Sequence, residues 1–336
     1  MTTINPQSIP HQSSIFWTGA TGFFGKSLLR GLQSQPQEPI AWHFLSRDPS
    51  AFLKRFPAFH DLPETFWHQG DILSLRMDDY PALTHVVHAA ADSTSAEHLN
   101  SSQRFAQIVE GTRQVLELAV KKGAKRFLLT SSGGVYGRQP ADLMTLPEDF
   151  HGIPDPLTIA NTYGVAKRVA EHLCALYAEE YGIEIIVARC FAFVGEDLPL
   201  DVHFAIGNFI RDALWSEEII VHGDGTAIRS YLDQRDLVRW LLALLQDGKA
   251  GQAYNVGSDQ AISIADLAHL VRDIVSPNKA VRILGKRVGN AERNRYVPDI
   301  SKAQRDLGLN VTVPLSEAIL HAANAHRKAA GHSQEP

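Results

Sequence analysis

The sequence predicts a doubly wound α/β domain built on a parallel sheet, followed by a smaller α/β region. Three observations carry that expectation. Over the first two-thirds of the chain, short apolar runs of strand length alternate with amphipathic stretches of helical spacing, an order that places helices on both faces of a parallel sheet. The first run, 14–18, passes at once through Gly19-Ala-Thr-Gly22-Phe-Phe-Gly25 into a helical stretch. The run 183–188 is apolar almost without interruption, as a strand covered on both faces requires.

The elements follow in order. A second apolar run, 40–45, ends in Ser46-Arg47-Asp48-Pro49, where the proline closes the strand. Weaker strand signals stand at 66–68, before Gly70-Asp71, and at 85–89. The stretch 102–122 carries a helical apolar stripe closed by Gly123. A further strand, 126–130, runs into Ser131-Ser132-Gly133-Gly134, and 162–181 is again helical. After Arg189 the loops lengthen; helices are expected at 236–246 and 264–275, with a short strand at 253–256. Residues 14–190 are read as a dinucleotide-binding unit and 191–324 as a substrate region partly interleaved with its sheet. Residues 1–13 and 325–336 are expected to be flexible tails.

Composition narrows the function classes. The chain has 336 residues, 44% hydrophobic and 21% charged, with 24 Gly and 17 Pro, which excludes collagen-like and wholly disordered chains. Its 32 basic and 37 acidic residues give a net charge of −5 with no Lys/Arg block, so no nucleic-acid partner is expected. The longest apolar run, 237–245, is broken by Arg239 and is too short to span a bilayer. The polar N-terminus lacks the order of a secretory leader, which points to the cytoplasm. Cys174 and Cys190 form no CxxC pair and are read as buried apolar residues. Among 15 histidines no metal-ligand spacing occurs, and no metal is expected.

Three features carry chemistry. Gly19, Gly22 and Gly25 lie where a backbone can approach a pyrophosphate and meet it with the positive end of a helix; alone, they would also suit a tight turn. Tyr163 and Lys167 share one helix face at i, i+4, a spacing at which an ammonium can lower the pKa of a phenol and fit it for proton transfer. Ser131-Ser132 end a strand at the edge where doubly wound sheets bind ligands.

In this order, the three features resemble the extended branch of the short-chain dehydrogenase/reductase superfamily, the NAD(P)-dependent nucleotide-sugar epimerases, dehydratases and reductases, whose dinucleotide domain is a Rossmann fold. The likeness covers nearly the whole chain. Thr18 to Gly25 match TGxxGxxG, and Asp71-Ile72, His88 to Ala91 and Gly111-Thr112 match further family segments. So do Ser131 to Gly137, Gly223 to Asp233 with its Arg229, 253–258 and 295–302.

The resemblance implies that Tyr163 is the acid/base, that Lys167 holds the nicotinamide ribose, and that Ser132 orients the reacting oxygen. It places the dinucleotide against Gly19, Thr21, Gly22, Phe23, Phe24 and Gly25, then Ser46, Arg47, Asp71, Ile72, Ala89, Ala90 and Ala91. Arg229 and Arg293 would meet the diphosphate of a nucleotide-sugar substrate, which a planar guanidinium binds bidentately. A homodimer is implied by the resemblance alone.

The chain also departs from the branch. Ser46-Arg47 stand where NAD-preferring members carry an acidic residue, and a cation there suits a 2′-phosphate, so NADP is favoured over NAD. Gly133-Gly134 replace the Asp-Glu pair of the 4,6-dehydratases, which argues against dehydration by that route. Ile108 and Ala192 stand where asparagines are common. The expected activity is a ketoreductase or dehydrogenase acting on a nucleotide-diphosphate sugar. The alternative is a sugar 4-epimerase that keeps NAD tightly bound.

Overall fold

The computed structural model describes residues 13–34, 40–91, 99–202, 204–286 and 294–332. Its first half alternates as the periodicity requires: β1 (Ser14–Thr18), α1 (Phe23–Gln33), β2 (Ala41–Ser46), α2 (Pro49–Arg55), β3 (Thr65–Gln69), β4 (His85–His88), α3 (Ser101–Lys121), β5 (Arg126–Ser132), α4 (Thr162–Tyr181) and β6 (Glu184–Cys190). Shorter elements follow: β7 (Phe193–Val194), α5 (Ala205–Trp215), β8 (Glu218–Val221), β9 (Ile228–Arg229), β10 (Leu232–Asp233) and α6 (Gln234–Asp247). The described chain closes with β11 (Gln252–Val256), β12 (Ile262–Ser263), α7 (Ile264–Val275), β13 (Ala280–Ile283), β14 (Arg295–Tyr296), α8 (Ser301–Leu307) and α9 (Leu315–His332).

Seven strands form one sheet in the order β11-β6-β5-β4-β1-β2-β3, and every pairing in it is parallel. Because β1 lies between β2 and β4, the chain winds outward in both directions from it. The crevice at that reversal, beyond the carboxyl ends of β1 and β4, is where such sheets bind ligands.

Alternation along each strand feeds two cores. On one face Ile15, Trp17, Trp42 and Phe44 pack with Leu28 of α1 and Leu241 of α6. On the other, Phe16, Val86, Phe127 and Leu129 pack with Val115 of α3 and Ala170 of α4. A third cluster joins Phe209 of α5, Leu267 of α7 and Ile319 of α9. Residues beyond 191 therefore supply both the strand at one edge of the main sheet, β11, and a helix that covers it, α6.

Two expectations for the ends need correction. Ser13, placed in the flexible tail by its sequence, is buried, and its carbonyl accepts from the Ala41 N–H at 2.8 Å, extending the β1–β2 ladder; residues 1–12 lie outside the described residues. Of the expected tail 325–336, residues 325–332 continue α9. The helix is anchored by its buried Ala318, Ile319, Ala322 and Ala323, and the alanines beyond them favour its extension. Among the described residues no helix is long and apolar enough to cross a membrane, and no three His, Cys, Asp or Glu side chains converge as a metal site would need.

Burial in the sheet favours the neutral form of four histidines, His43, His68, His85 and His88. Burial lowers His43 and His85 to about 4, with His68 and Arg126 adding to the effect, and lowers His88 to about 3. A histidine depressed in the folded state leaves stability intact above its unfolded value of about 6.5 and removes it as pH falls toward the folded value. The urea midpoint should therefore fall steeply between pH 6.5 and about 4. A midpoint that holds level across that window would show that these rings protonate without unfolding the sheet.

Candidate active site

The glycine turn after β1 is shaped by contact. Gly19 adopts φ +75°, and a Cβ on it would stand 2.8 Å from the Ala89 carbonyl oxygen at the end of β4. A Cβ on Gly25 would fall 2.2 Å from the Ala20 carbonyl oxygen, so α1 closes directly on the turn. Thr21 and Gly22 are exposed to the crevice, Phe23 and Phe24 half-buried beside it. Gly22 caps α1 without a side-chain hydrogen bond, and the first turn holds no acidic residue. A bare helix start next to a turn that excludes side chains fits a pyrophosphate.

At the end of β4, the Thr18 hydroxyl oxygen receives the N–H groups of Ala89 at 3.1 Å and Ala90 at 3.0 Å. Its single proton therefore goes to His88 Nδ1, 2.8 Å away, which places the ring proton on Nε2. The half-buried Ala89, Ala90 and Ala91 are set at the crevice by this clamp.

The residues expected to meet the adenosine end, Ser46, Arg47, Asp71 and Ile72, stand at the ends of β2 and β3. Ser46 is buried, and its hydroxyl accepts from the Asp48 N–H at 3.2 Å. The Asp48 carboxylate caps α2, accepting from Ala51 N–H and Ser50 hydroxyl, both at 2.9 Å. Arg47 is exposed between them. Asp71 accepts from the Leu73 N–H at 2.9 Å, while buried Ile72 touches Gly111 of α3, where a Cβ would come 2.6 Å from its Cδ1.

On the other side of the crevice stand Ser132, Tyr163 and Lys167. The Lys167 ammonium is buried, donates to the Thr130 carbonyl at 2.7 Å and lies 5.9 Å from the centre of the Tyr163 ring. Burial lowers it to about 8. Burial raises the Tyr163 phenol, with Cys190 and Tyr296 adding to the shift and Arg104 opposing it. Ser132 ends β5 and accepts from the Gly134 N–H at 3.0 Å.

Beneath them runs a polar network that no local motif announces. Ser131 donates to Glu171 at 2.5 Å, and Arg189 holds the same carboxylate through two bonds of 3.1 and 2.8 Å. Arg189 also donates to the Glu148 carbonyl at 3.1 Å and stacks over Tyr136 at 4.8 Å.

Arg229 is half-buried and donates to the Ile228 and Asn294 carbonyls at 2.8 and 3.0 Å. It pairs in register with Tyr296, whose phenol donates to the Cys190 carbonyl at 3.4 Å and hydrogen-bonds Ser132. Arg293 lies outside the described residues. Tyr296 is the residue that sequence reasoning passed over: its segment was legible, but the β9–β14 pairing that turns it toward Ser132 is not local. Gly133 owes its identity to this wall, since a Cβ there would lie 2.6 Å from the Tyr296 oxygen and 2.7 Å from the Phe191 ring.

Residues 15–257 match the model of the NAD dependent epimerase/dehydratase family. The chain belongs to that family. Within the family it is similar to UDP-glucuronic acid decarboxylase 6 of Arabidopsis thaliana, 29% identical over 91% of this chain and 86% of that protein. It is also similar to UDP-glucuronic acid decarboxylase 1 of Xenopus tropicalis, 30% identical over 75% of this chain and 59% of that protein. Among solved epimerase/dehydratase folds it superposes on the UDP-glucose 4-epimerase of Thermotoga maritima with TM-score 0.79 at 23% identity, covering 94% of this chain and 99% of that one. The UDP-glucuronic acid 4-epimerase of Bacillus cereus, solved with UDP-glucuronic acid and NAD, gives 0.78 at 24% identity, with the same coverage. The dTDP-glucose 4,6-dehydratase of Bacillus anthracis, solved with NAD, gives 0.77 at 18%, covering 94% and 97%. The sheet with its strand reversal is the architecture of these enzymes.

Proposed function

We propose that this member of the family is a nucleotide-sugar ketoreductase or dehydrogenase, interconverting a ring ketone and alcohol. The observation that carries the reading is the pairing of Tyr163 and Lys167 across from Ser132 at a site wall where Gly133 and Gly134 leave no carboxylate. The dinucleotide, when bound, supplies or accepts the hydride. In reduction Tyr163 gives its phenolic proton to the sugar oxygen, Ser132 donates a hydrogen bond to that oxygen, and the Lys167 ammonium favours the phenolate left behind. Removing water from the sugar needs an acid and a base beside the ring. Two carboxylates on the surrounding elements are already engaged, Glu171 by Ser131 and Arg189, and Glu148 by the Asn255 N–H at 2.8 Å. Arg229 would reach the substrate diphosphate. The protein would act as a homodimer in the cytoplasm.

NADP fits the end of β2 better than NAD, because Asp48 is committed to α2 and leaves exposed Arg47 as the charge available there. Replacing Arg47 with Ala should weaken NADP by about tenfold or more, the loss of one charge-assisted phosphate contact, and leave NAD nearly unchanged. Equal weakening of both would remove Arg47 from the site.

The second reading, a 4-epimerase, is favoured by the NAD held in solved epimerases of this fold. The deciding experiment identifies any dinucleotide released by denaturing the purified protein, then assays turnover on a panel of 4-keto nucleotide sugars that also includes UDP-glucose and UDP-glucuronate. Protein purified empty that oxidises NADPH on a keto sugar is expected. Stoichiometric NAD with inversion at the sugar would establish the epimerase, and release of carbon dioxide from UDP-glucuronate would place the chain with its decarboxylase relatives.

A further inference from the structure

The serine that meets the sugar oxygen in the proposed reaction has a second hydroxyl beside it. β5 and β6 pair Ser132 with Cys190, and the Tyr296 phenol donates to that Cys190 carbonyl at 3.4 Å, which brings its oxygen to the serine. The two hydroxyls are hydrogen-bonded. The fit is close, since a Cβ on Gly133 would stand 2.6 Å from the same phenol oxygen. The ring is held from several sides. It packs on Phe191 with centroids 4.5 Å apart, and its backbone pairs with Arg229. The next residue, Val297, donates its N–H to Gln139 Oε1 at 3.1 Å, and its carbonyl accepts from the Leu146 N–H at 2.8 Å.

We propose that Tyr296 is a positioning residue whose phenol fixes the Ser132 hydroxyl, so that the serine proton points to the reacting oxygen of the sugar. A serine oxygen has two lone pairs and one proton. The Gly134 N–H takes one lone pair at 3.0 Å. When the sugar is bound, the Tyr296 proton takes the other, and the serine proton is left for the sugar oxygen. The phenol can make that turn at little cost, because its bond to the Cys190 carbonyl is longer than the roughly 2.5–3.0 Å usual for O–H···O. Two hydroxyls in line also polarise one another, which strengthens the outer donor. Gly133 belongs to the arrangement, since a side chain there would displace the phenol.

The inference rests on Ser132 as the donor to the sugar oxygen, and its test keeps the two apart. Turnover of the keto nucleotide sugar that the panel identifies is compared in wild type, Tyr296→Phe, Ser132→Ala and the double variant. Tyr296→Phe keeps the ring on Phe191 and removes only the oxygen. Its kcat should fall roughly two- to tenfold, the contribution of one neutral hydrogen bond, with KM nearly unchanged. In the Ser132→Ala background the same substitution should lower kcat no further, because its effect passes through the serine. An equal loss in both backgrounds overturns the proposal and marks a direct contact with the sugar or a loosened wall; no loss in either overturns it as well. A crystal structure supplies a readout without turnover. With dinucleotide bound, Ser132 Oγ should occupy one rotamer in the wild type and more than one in Tyr296→Phe, and the same single rotamer in both would contradict the positioning role. Failure of the functional reading would show separately, as undiminished turnover by Ser132→Ala alone.

Discussion

Tyr163→Phe should lower kcat by about 10²–10⁴-fold, the usual contribution of a positioned proton donor, and leave dinucleotide affinity nearly intact. The substitution removes one oxygen and keeps the ring that packs against the α3–α4 core, so neither the glycine turn nor Lys167 has cause to move. The phenol is held in its protonated form first by burial, which suits a group that delivers a proton during reduction. Single-turnover kinetics with a keto nucleotide sugar, beside calorimetric titration of the dinucleotide, separates the two effects. A variant that retains near wild-type kcat would remove Tyr163 from the chemistry; a variant that loses dinucleotide binding would make it a binding residue.

Arg189→Met should cost about 3–5 kcal/mol of stability, the penalty for stripping one partner from a buried ion pair. The side chains of Arg189 and Glu171 are 16% and 13% exposed, and without the guanidinium the carboxylate keeps the Ser131 hydroxyl as a donor. The strand-end serine next to Ser132 would then be pulled by an unneutralised charge, so kcat should fall together with the urea midpoint. The double variant Arg189→Met, Glu171→Met should recover much of the lost stability, since replacing both charges by apolar groups of similar volume is often neutral. Urea unfolding of the four proteins of this cycle tests it. A single substitution costing under about 1 kcal/mol would show that the pair behaves as an exposed one.

The glycines, the strand-end serines and the Tyr163–Lys167 spacing were legible because each depends on neighbours within a few residues. Gly19 must take a positive φ and lie against β4, and any larger residue would clash; the residue type itself reports the geometry. Asp48 shows the limit of such reading. In the chain it is an acidic residue close to the strand end, next to Arg47, and only the start of α2 claims its carboxylate. The tail at 325–332 was misread for a related reason, since its helix depends on an anchor about two turns earlier that packs against α5 and α7.

By itself the sequence determined the βαβ rhythm, the glycine turn after β1, the Tyr163–Lys167 spacing and the family they belong to, because local spacing dictates backbone conformation and the face on which a side chain stands. The tertiary structure decided what meets those groups across the chain. It set Tyr296 against Ser132 through the β9–β14 pairing and joined Ser131 to Arg189 through Glu171. These contacts link residues tens to more than a hundred positions apart, and no local pattern encodes them. They exist because burying two apolar faces of one sheet forces α3, α4 and the C-terminal strands onto the same carboxyl edge.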